Sequence, residues 1–331
     1  MKVLITGGCG FIGSNFIRYL LADRETGTDI QVVNLDKISY AGSGRNMEHM
    51  NLSENKNYKF IRGDICDKDL VDSIISHEKP DLVFNFAAES HVDRSISNSE
   101  AFEKSNFIGA CNIFKSSLKN NIKKVVHIST DEVYGSIEEG SFSEESKLNP
   151  SSPYSATKAA ADLIAIAYFK THKLPVIITR SANNFGSYQF PEKILPLFIT
   201  NLIDGEKVPL MWSESNPALN VRDWLNVMDN CRAIWFASQK GEIGEVYNIP
   251  GENEKTNIHA TYVLLNHFGF DESMIEKVPH RKAHDFRYSS SGNKIKKLGF
   301  KHKHDNFEDE IKKTIEWYKE NQSWWRPLKT I

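Results

Sequence analysis

Lys2-Val-Leu-Ile-Thr6 runs directly into Gly7-Gly-Cys-Gly10-Phe-Ile-Gly13. A short apolar run of this kind reads as a strand buried in a parallel sheet. Phe11 to Leu21 reads as the helix that follows. A glycine turn between a buried strand and a helix opens a dinucleotide-binding unit. The first glycine permits the tight turn, the middle one lets backbone approach a pyrophosphate, and the last allows close helix–strand contact. The helix N-terminus then offers free N–H groups and a positive dipole end to the phosphates.

The same alternation continues along the chain. Strands are expected at 30–36, 58–62, 81–86, 124–129 and 175–180, and helices at 70–77, 101–120 and 155–172. The pattern predicts an α/β protein with a Rossmann-type doubly wound parallel sheet and right-handed crossovers. Beyond Asn184 prolines at 191, 196, 209 and 217 loosen the pattern. Helices near 191–204, 226–239 and 306–320, with a strand at 245–249, suggest a smaller α/β lobe. The expected organisation is a dinucleotide-binding domain at 1–184 and a smaller lobe at 185–331, with some chain crossing between them. The lobe would pack against the sheet and make a cleft.

Composition narrows the function classes. A net charge of −2 leaves no nucleic-acid footprint and no polybasic membrane patch. No apolar run approaches the ~20 residues of a membrane span. Met1-Lys2 leads straight into the first strand, so no signal peptide and a cytoplasmic location are expected. Cys9, Cys66, Cys111 and Cys231 are widely spaced and read as reduced thiols, with no metal site. Lys301-His302-Lys303-His304 reads as a solvated basic loop.

Asp36 lies 23 residues after Gly13, at the end of the second strand. Its carboxylate suits the ribose hydroxyls and repels a 2′-phosphate, which favours NAD over NADP. Lys37 stands beside it. Asp64 and Ile65, ending the third strand, are placed to meet the adenine. Phe86-Ala87-Ala88-Glu89-Ser90 ends the fourth strand with small residues that leave room for the cofactor.

The fifth strand ends in Ser129-Thr130-Asp131-Glu132, where ligands of such sheets bind. Tyr154 and Lys158 are four residues apart and share one helix face. A nearby ammonium and an oxidised nicotinamide would favour the phenolate of Tyr154. Tyr154 is then suited to take a proton from a sugar hydroxyl while hydride leaves the same carbon, and Lys158 to hold the nicotinamide ribose. Neighbouring carboxyl groups tend to split their pKa values, one remaining an acid and one a base.

These segments together resemble the extended short-chain dehydrogenases/reductases, and within them the dTDP-glucose 4,6-dehydratases. The matching stretches include Thr6–Ser14, Asp36-Lys37 with Tyr40-Ala-Gly42, Ala87–Ser95, Ser129–Gly135 and Pro153–Lys158. They continue with Asn183-Asn184, Tyr188–Lys193, Asn220–Trp224, Tyr247–Ile249 and His284–Tyr288. The Thr130-Asp131-Glu132 triplet separates this group from related 4-epimerases and decarboxylases.

The resemblance implies a three-stage reaction on a nucleotide hexose. Tyr154 acts as base at the C4 hydroxyl and Thr130 hydrogen-bonds the C4 oxygen. Glu132 removes the C5 proton while protonated Asp131 donates to the departing C6 hydroxyl. Hydride returns to C6 and C5 is reprotonated. By the same resemblance Ser90, Asn183, Lys193, Arg222, Asn257, Arg281 and His284 contact the nucleotide sugar. Ser90, Ser129 and Asn184 join Gly7, Gly10, Phe11, Ile12 and Gly13 as cofactor contacts. The helix from Ala101 and the one carrying Tyr154 correspond to a homodimerising pair.

Three stretches depart from the family pattern. Met211–Ala218 is longer and lacks glycine, His280-Arg281-Lys282-Ala283 replaces Asp-Arg-Pro-Gly, and Ser289-Ser-Ser291 replaces a more apolar run. The base thus stays open between thymidine, uridine and another nucleoside, Trp212 between stacking on a base and packing, and a 4-epimerase or decarboxylase is the alternative activity. Trp317, Trp324 and Trp325 read as packing or interface residues.

Overall fold

The order in which the strands pair places the site. In the computed structural model, which describes residues 1–22, 29–39 and 42–329, seven strands form one parallel sheet. The first six are β1 (Lys2–Thr6), β2 (Gln31–Asp36), β3 (Tyr58–Arg62), β4 (Leu82–Asn85), β5 (Lys124–Thr130) and β6 (Val176–Ser181). Then come β7 (Asn183–Phe185), β8 (Val208–Met211), β9 (Val221–Asn226), β10 (Val246–Ile249), β11 (Glu254–Thr256) and β12 (Ile275–Val278). The large sheet runs β10-β6-β5-β4-β1-β2-β3. Its order reverses between β1 and β4, and a crevice opens at such a switch point. Tyr40 and Ala41 of the family motif lie outside the described residues.

Both faces of the sheet are covered. Val3 and Ile5 enter one apolar core with Phe16, Phe84 and Trp235, while Leu4 enters another with Val83, Phe114 and Ala161. That division follows the two-residue period of a strand. A third core, with Phe198, Trp224, Leu264, Ile311 and Trp325, holds the remaining helices over the sheets β11-β9-β7 and β12-β8.

Several elements differ from expectation. The strand at 246–249 does not stay in the smaller lobe. It is buried throughout and pairs with β6 at the edge of the large sheet. Helix Val227–Lys240 likewise contributes Cys231, Ile234 and Trp235 to the core around Phe16. The helix expected at 101–120 is α-helical at Glu100–Phe102, π-helical at Glu103–Gly109 and α-helical again at Ala110–Lys119. Such π segments gather at functional sites. Here it carries Asn106, whose side chain accepts from the Glu89 N–H (2.8 Å) and donates to the Glu89 carbonyl (3.0 Å). The loop after β4 is pinned in that way.

The stretch 301–304 is not simply solvated. The His302 side chain is largely covered and lies 3.4 Å from the Asp229 carboxylate, which also accepts from the backbone N–H groups of Lys303 and His304. The His302 side chain first, then those backbone bonds and Arg232, hold Asp229 at about 2 despite burial. Trp325 is buried and donates to the Tyr318 carbonyl, and Trp324 donates to Asn46, so both pack the fold. Among the described residues no helix is long and apolar enough to cross a membrane.

Candidate active site

Gly7 takes φ +71°, and a Cβ there would lie 2.5 Å from the Ala87 nitrogen. The turn therefore needs glycine both for its conformation and for its approach to the end of β4. A Cβ on Gly13 would lie 2.3 Å from the Gly7 carbonyl oxygen, so this glycine lets helix Phe11–Ala22 close on the turn. No acidic residue occupies the first turn of that helix, which leaves its positive end for an anion.

A cleft runs from this turn across the carboxyl ends of the strands. Gly7, Gly10, Phe11, Ile12, Gly13, Asp36, Lys37, Asp64, Ile65, Ala87, Ala88, Ser90, Ser129, Tyr154, Lys158 and Lys193 all line it. Asp36 accepts from the backbone N–H groups of Cys9 (2.8 Å) and Ile38 (2.7 Å), which fixes its carboxylate in the wall. Lys37 pairs with Glu89 at 3.0 Å and with Asp64 at 3.8 Å.

Tyr154 enters on helix Pro153–His172, whose start is fixed by Ser152 capping Ser155 and by Pro153 in the first turn. The Tyr154 N–H also donates to Ser95 Oγ at 3.2 Å. One turn on, Lys158 Nζ donates to the Ile128 carbonyl at 2.6 Å. Burial lowers Lys158 to about 8, with the Asp162 carboxylate pulling it back up.

For Tyr154 the protein's own surroundings oppose the phenolate that an oxidised nicotinamide would favour. Burial, then the Glu132 charge, push the phenol well above its ordinary range, and a hydrogen bond to Thr130 pulls it down. In the protein alone the phenol keeps its proton.

Thr130 ends β5, and its hydroxyl accepts from the Glu132 N–H at 3.3 Å, turning the chain into a short 3₁₀ segment at Asp131–Tyr134. Asp131 is buried, and neither carboxyl oxygen has a hydrogen-bond partner among the described residues. Burial first, and then the Glu132 charge, hold Asp131 well above the usual carboxylate range. Burial also raises Glu132, but Arg281, Arg222 and Lys193 counter it. Both carboxyls are thus raised, Asp131 further than Glu132, the order in which one serves as acid and its neighbour as base in an elimination.

Thr130, Asp131 and Glu132 do not themselves line the cleft. They form an adjoining cluster that meets it at Tyr154 and Lys193. Arg222 is stretched across that cluster by bonds to the carbonyls of Val221 (2.7 Å) and Asp285 (3.0 Å), with its guanidinium 4.4 Å over the Tyr288 ring. Lys193 Nζ donates to the Ser90 carbonyl at 3.0 Å. Arg281 reaches Asp93 at 3.6 Å. Asn183 and Asn257 each bury a side-chain carbonyl oxygen without a partner among the described residues, two acceptors awaiting donors. His284 contacts His280 at 2.9 Å. Asn184 is not brought to the cleft. Its amide donates to the Ala182 carbonyl and its backbone carbonyl accepts from Gln189.

The sequence reading assigned no role to Gln189, Phe190, Glu192, Ser105 or Gly42, which line the cleft, nor to Asp285 and Tyr288 beside Arg222. Gln189 to Glu192 follow Tyr188, whose φ of +68° sharpens the turn that brings them in. Apart from Ser105, which lies on the π segment, these residues fall inside segments already recognised.

Comparison with known proteins agrees with this geometry. The family model described as GDP-mannose 4,6 dehydratase matches residues 4–314. The chain is 45% identical to the dTDP-glucose 4,6-dehydratase of Streptomyces niveus, over 100% of this chain and 96% of that one. The structure of DesIV, a dTDP-glucose 4,6-dehydratase from Streptomyces venezuelae solved with NAD bound, superposes with a TM-score of 0.94. The identity is 44%, over 99% of this chain and 100% of DesIV. A UDP-glucose 4-epimerase from Thermus thermophilus shares the fold at a TM-score of 0.87 but only 27% identity, over 97% and 100% of the two chains. The chain belongs to the dTDP-glucose 4,6-dehydratases, within the wider family of GDP-mannose 4,6 dehydratase.

Proposed function

We propose that this protein is an NAD-dependent dTDP-glucose 4,6-dehydratase, a carbon–oxygen lyase that forms the 4-keto-6-deoxy sugar nucleotide from which deoxysugars are made. The observation that carries the reading is the unequal pair Asp131 and Glu132 beside Tyr154. Curated relatives with this name support it across the full length of the chain.

The residues present fit NAD. Gly10 keeps the floor of the glycine turn open, since a Cβ there would meet only the Gly7 carbonyl oxygen at 3.4 Å and would occupy the space a pyrophosphate needs. Asp36 presents an immobilised carboxylate in the same cleft. Asp64, Ile65, Ser129 and Lys158 all line the cleft, where the first two would meet the adenine and the last two would hold the nicotinamide end. Bound there, NAD would supply reversible hydride transfer, away from C4 and back to C6.

Tyr154 accepts the C4 hydroxyl proton, its phenolate favoured only once positive charge lies beside it. Thr130, already in contact with the phenol, holds the C4 oxygen. The C4 ketone acidifies the C5 hydrogen, and Glu132 takes that proton. Asp131 gives its proton to the C6 hydroxyl, which leaves as water. Glu132 then reprotonates C5. Arg222, Arg281 and Lys193 suit the diphosphate, because guanidinium and ammonium groups pair with phosphate oxygens. In this reading residues 1–184 form the dinucleotide-binding domain with the catalytic groups, and residues 185–331 supply the smaller lobe that holds most of the nucleotide sugar. The protein is a cytoplasmic homodimer joined through the helical stretch 100–119 and helix Pro153–His172, which expose Ile108 and Leu163.

Purified protein incubated with NAD and a panel of dTDP- and UDP-hexoses tests the reading. Loss of water from dTDP-glucose, with the absorbance of a 4-keto sugar in base, is expected. A 4-epimer without loss of water would replace this activity with an epimerase.

A further inference from the structure

His280 and His284 bring their Nδ1 atoms within 2.9 Å of each other. The rings are tilted by 45° with centroids 5.1 Å apart, so they meet through nitrogen rather than by stacking. A hydrogen bond between two ring nitrogens needs the proton on one of them. The second nitrogen of His280 decides which, because its Nε2 lies 3.0 Å from the Asn216 carbonyl oxygen. A carbonyl only accepts, so His280 carries its proton on Nε2. In the neutral ring Nδ1 is then a lone pair, and His284 donates Nδ1–H to it. His284 is left with a lone pair on Nε2, which has no hydrogen-bond partner among the described residues.

The surroundings keep His284 neutral. Burial, then the guanidiniums of Arg222 and Arg281, hold it at about 3. The contact also ties two chain segments together. Asn216 lies between β8 and β9, and its amide donates to Asn220 Oδ1 at 2.9 Å. Asn220 in turn donates to the Asp285 carbonyl at 3.0 Å, the same carbonyl that Arg222 grips.

We infer that His280 is a positioning residue that fixes His284 as a hydrogen-bond acceptor at Nε2, so that His284 takes a hydroxyl or N–H donor of the nucleotide sugar rather than a phosphate oxygen. A diphosphate oxygen offers no proton to a lone pair, whereas Arg222, Arg281 and Lys193 are donors only. The identity of the ligand rests on the functional reading above; the ring assignment does not.

Long-range ¹H–¹⁵N correlation on the ¹⁵N-histidine-labelled protein at pH 7.5 separates protonated from bare ring nitrogens. His284 should show Nδ1–H with a bare Nε2, and His280 the reverse. In His280→Leu the acceptor is lost, His284 shifts toward Nε2–H, and KM for dTDP-glucose rises roughly tenfold, one hydrogen bond's worth. The loss falls on KM more than on kcat. His280→Asn can accept from Nδ1–H through Oδ1 and donate to Asn216 through Nδ2, and it restores KM to within about threefold. A native His284 protonated on Nε2 overturns the inference. So does an unchanged KM in a folded His280→Leu protein. Should that variant not fold, the native spectrum and the Asn variant still decide. If the native enzyme converts no dTDP-glucose, the functional reading fails while the spectrum still settles the rings.

Discussion

Asp131 and Glu132 are consecutive residues with unequal electrostatic surroundings. Asp131 has two carboxyl oxygens without hydrogen-bond partners among the described residues, and the Glu132 charge beside it. Glu132 is offset by Arg281, Arg222 and Lys193. A turn of four residues after β5 therefore sets two carboxyls apart, Asp131 raised further than Glu132.

Asp131→Asn removes the acid and leaves its shape. Turnover should fall by roughly 10²–10⁴, the usual contribution of one acid–base group. Stability should move the other way. A carboxyl raised in the folded state contributes stability below its unfolded value, near 4, and that contribution is lost as pH rises toward the folded value. The variant has no such loss, so at pH 8 its Tm should match or exceed that of the native protein. The difference should vanish near pH 4. Thermal melts across this range check it.

Lys158 gives a pH limit. Its ammonium is lowered to about 8 by burial, so the charged form is held below that pH and lost above it. The kcat/KM profile, which reports the free enzyme, should fall on the alkaline side near pH 8. Lys158→Met should lower kcat/KM by about 10²-fold or more and remove that limb.

Beneath the site Arg180 Nε donates to Asp162 at 2.8 Å, and Arg180 Nη1 donates to the Tyr134 hydroxyl at 2.8 Å. Both partners of the ion pair are fully buried. Asp162→Asn should destabilise the fold by about 3–5 kcal/mol, because it strands a buried guanidinium. Denaturant unfolding measures it. Replacing both partners by apolar residues of similar size should recover most of the loss.

Gly7→Ala should cost roughly 1–3 kcal/mol through its left-handed backbone alone. Its Cβ would also press on Ala87, so NAD affinity should fall with stability. Titration of NAD against the variant reads the second effect.

Much of this was legible from residue order. The buried strands β1, β2, β4, β5 and β6 announce themselves as apolar runs, and Tyr154 with Lys158 shares a helix face by spacing alone. The short strands β7, β8, β9, β11 and β12 were not anticipated, because three to six residues carry little periodicity and their partners are distant in sequence. The π segment at 103–109 was read as plain helix, since nothing local distinguishes it from an α pattern. The return of β10 to the large sheet is likewise a matter of packing. The charge state of Tyr154 depends on burial and on Glu132, which spacing does not reveal.

The division of labour between Glu132 and Tyr154 is the central claim, and deuterium exchange at C5 tests it most directly. Glu132→Gln, loaded with NAD and given dTDP-glucose in D₂O, should still oxidise C4 in a single turnover and show the absorbance of NADH. It should place no deuterium at C5. Deuterium appearing there at the native rate would mean that another group takes the proton, and the account of this site would be wrong.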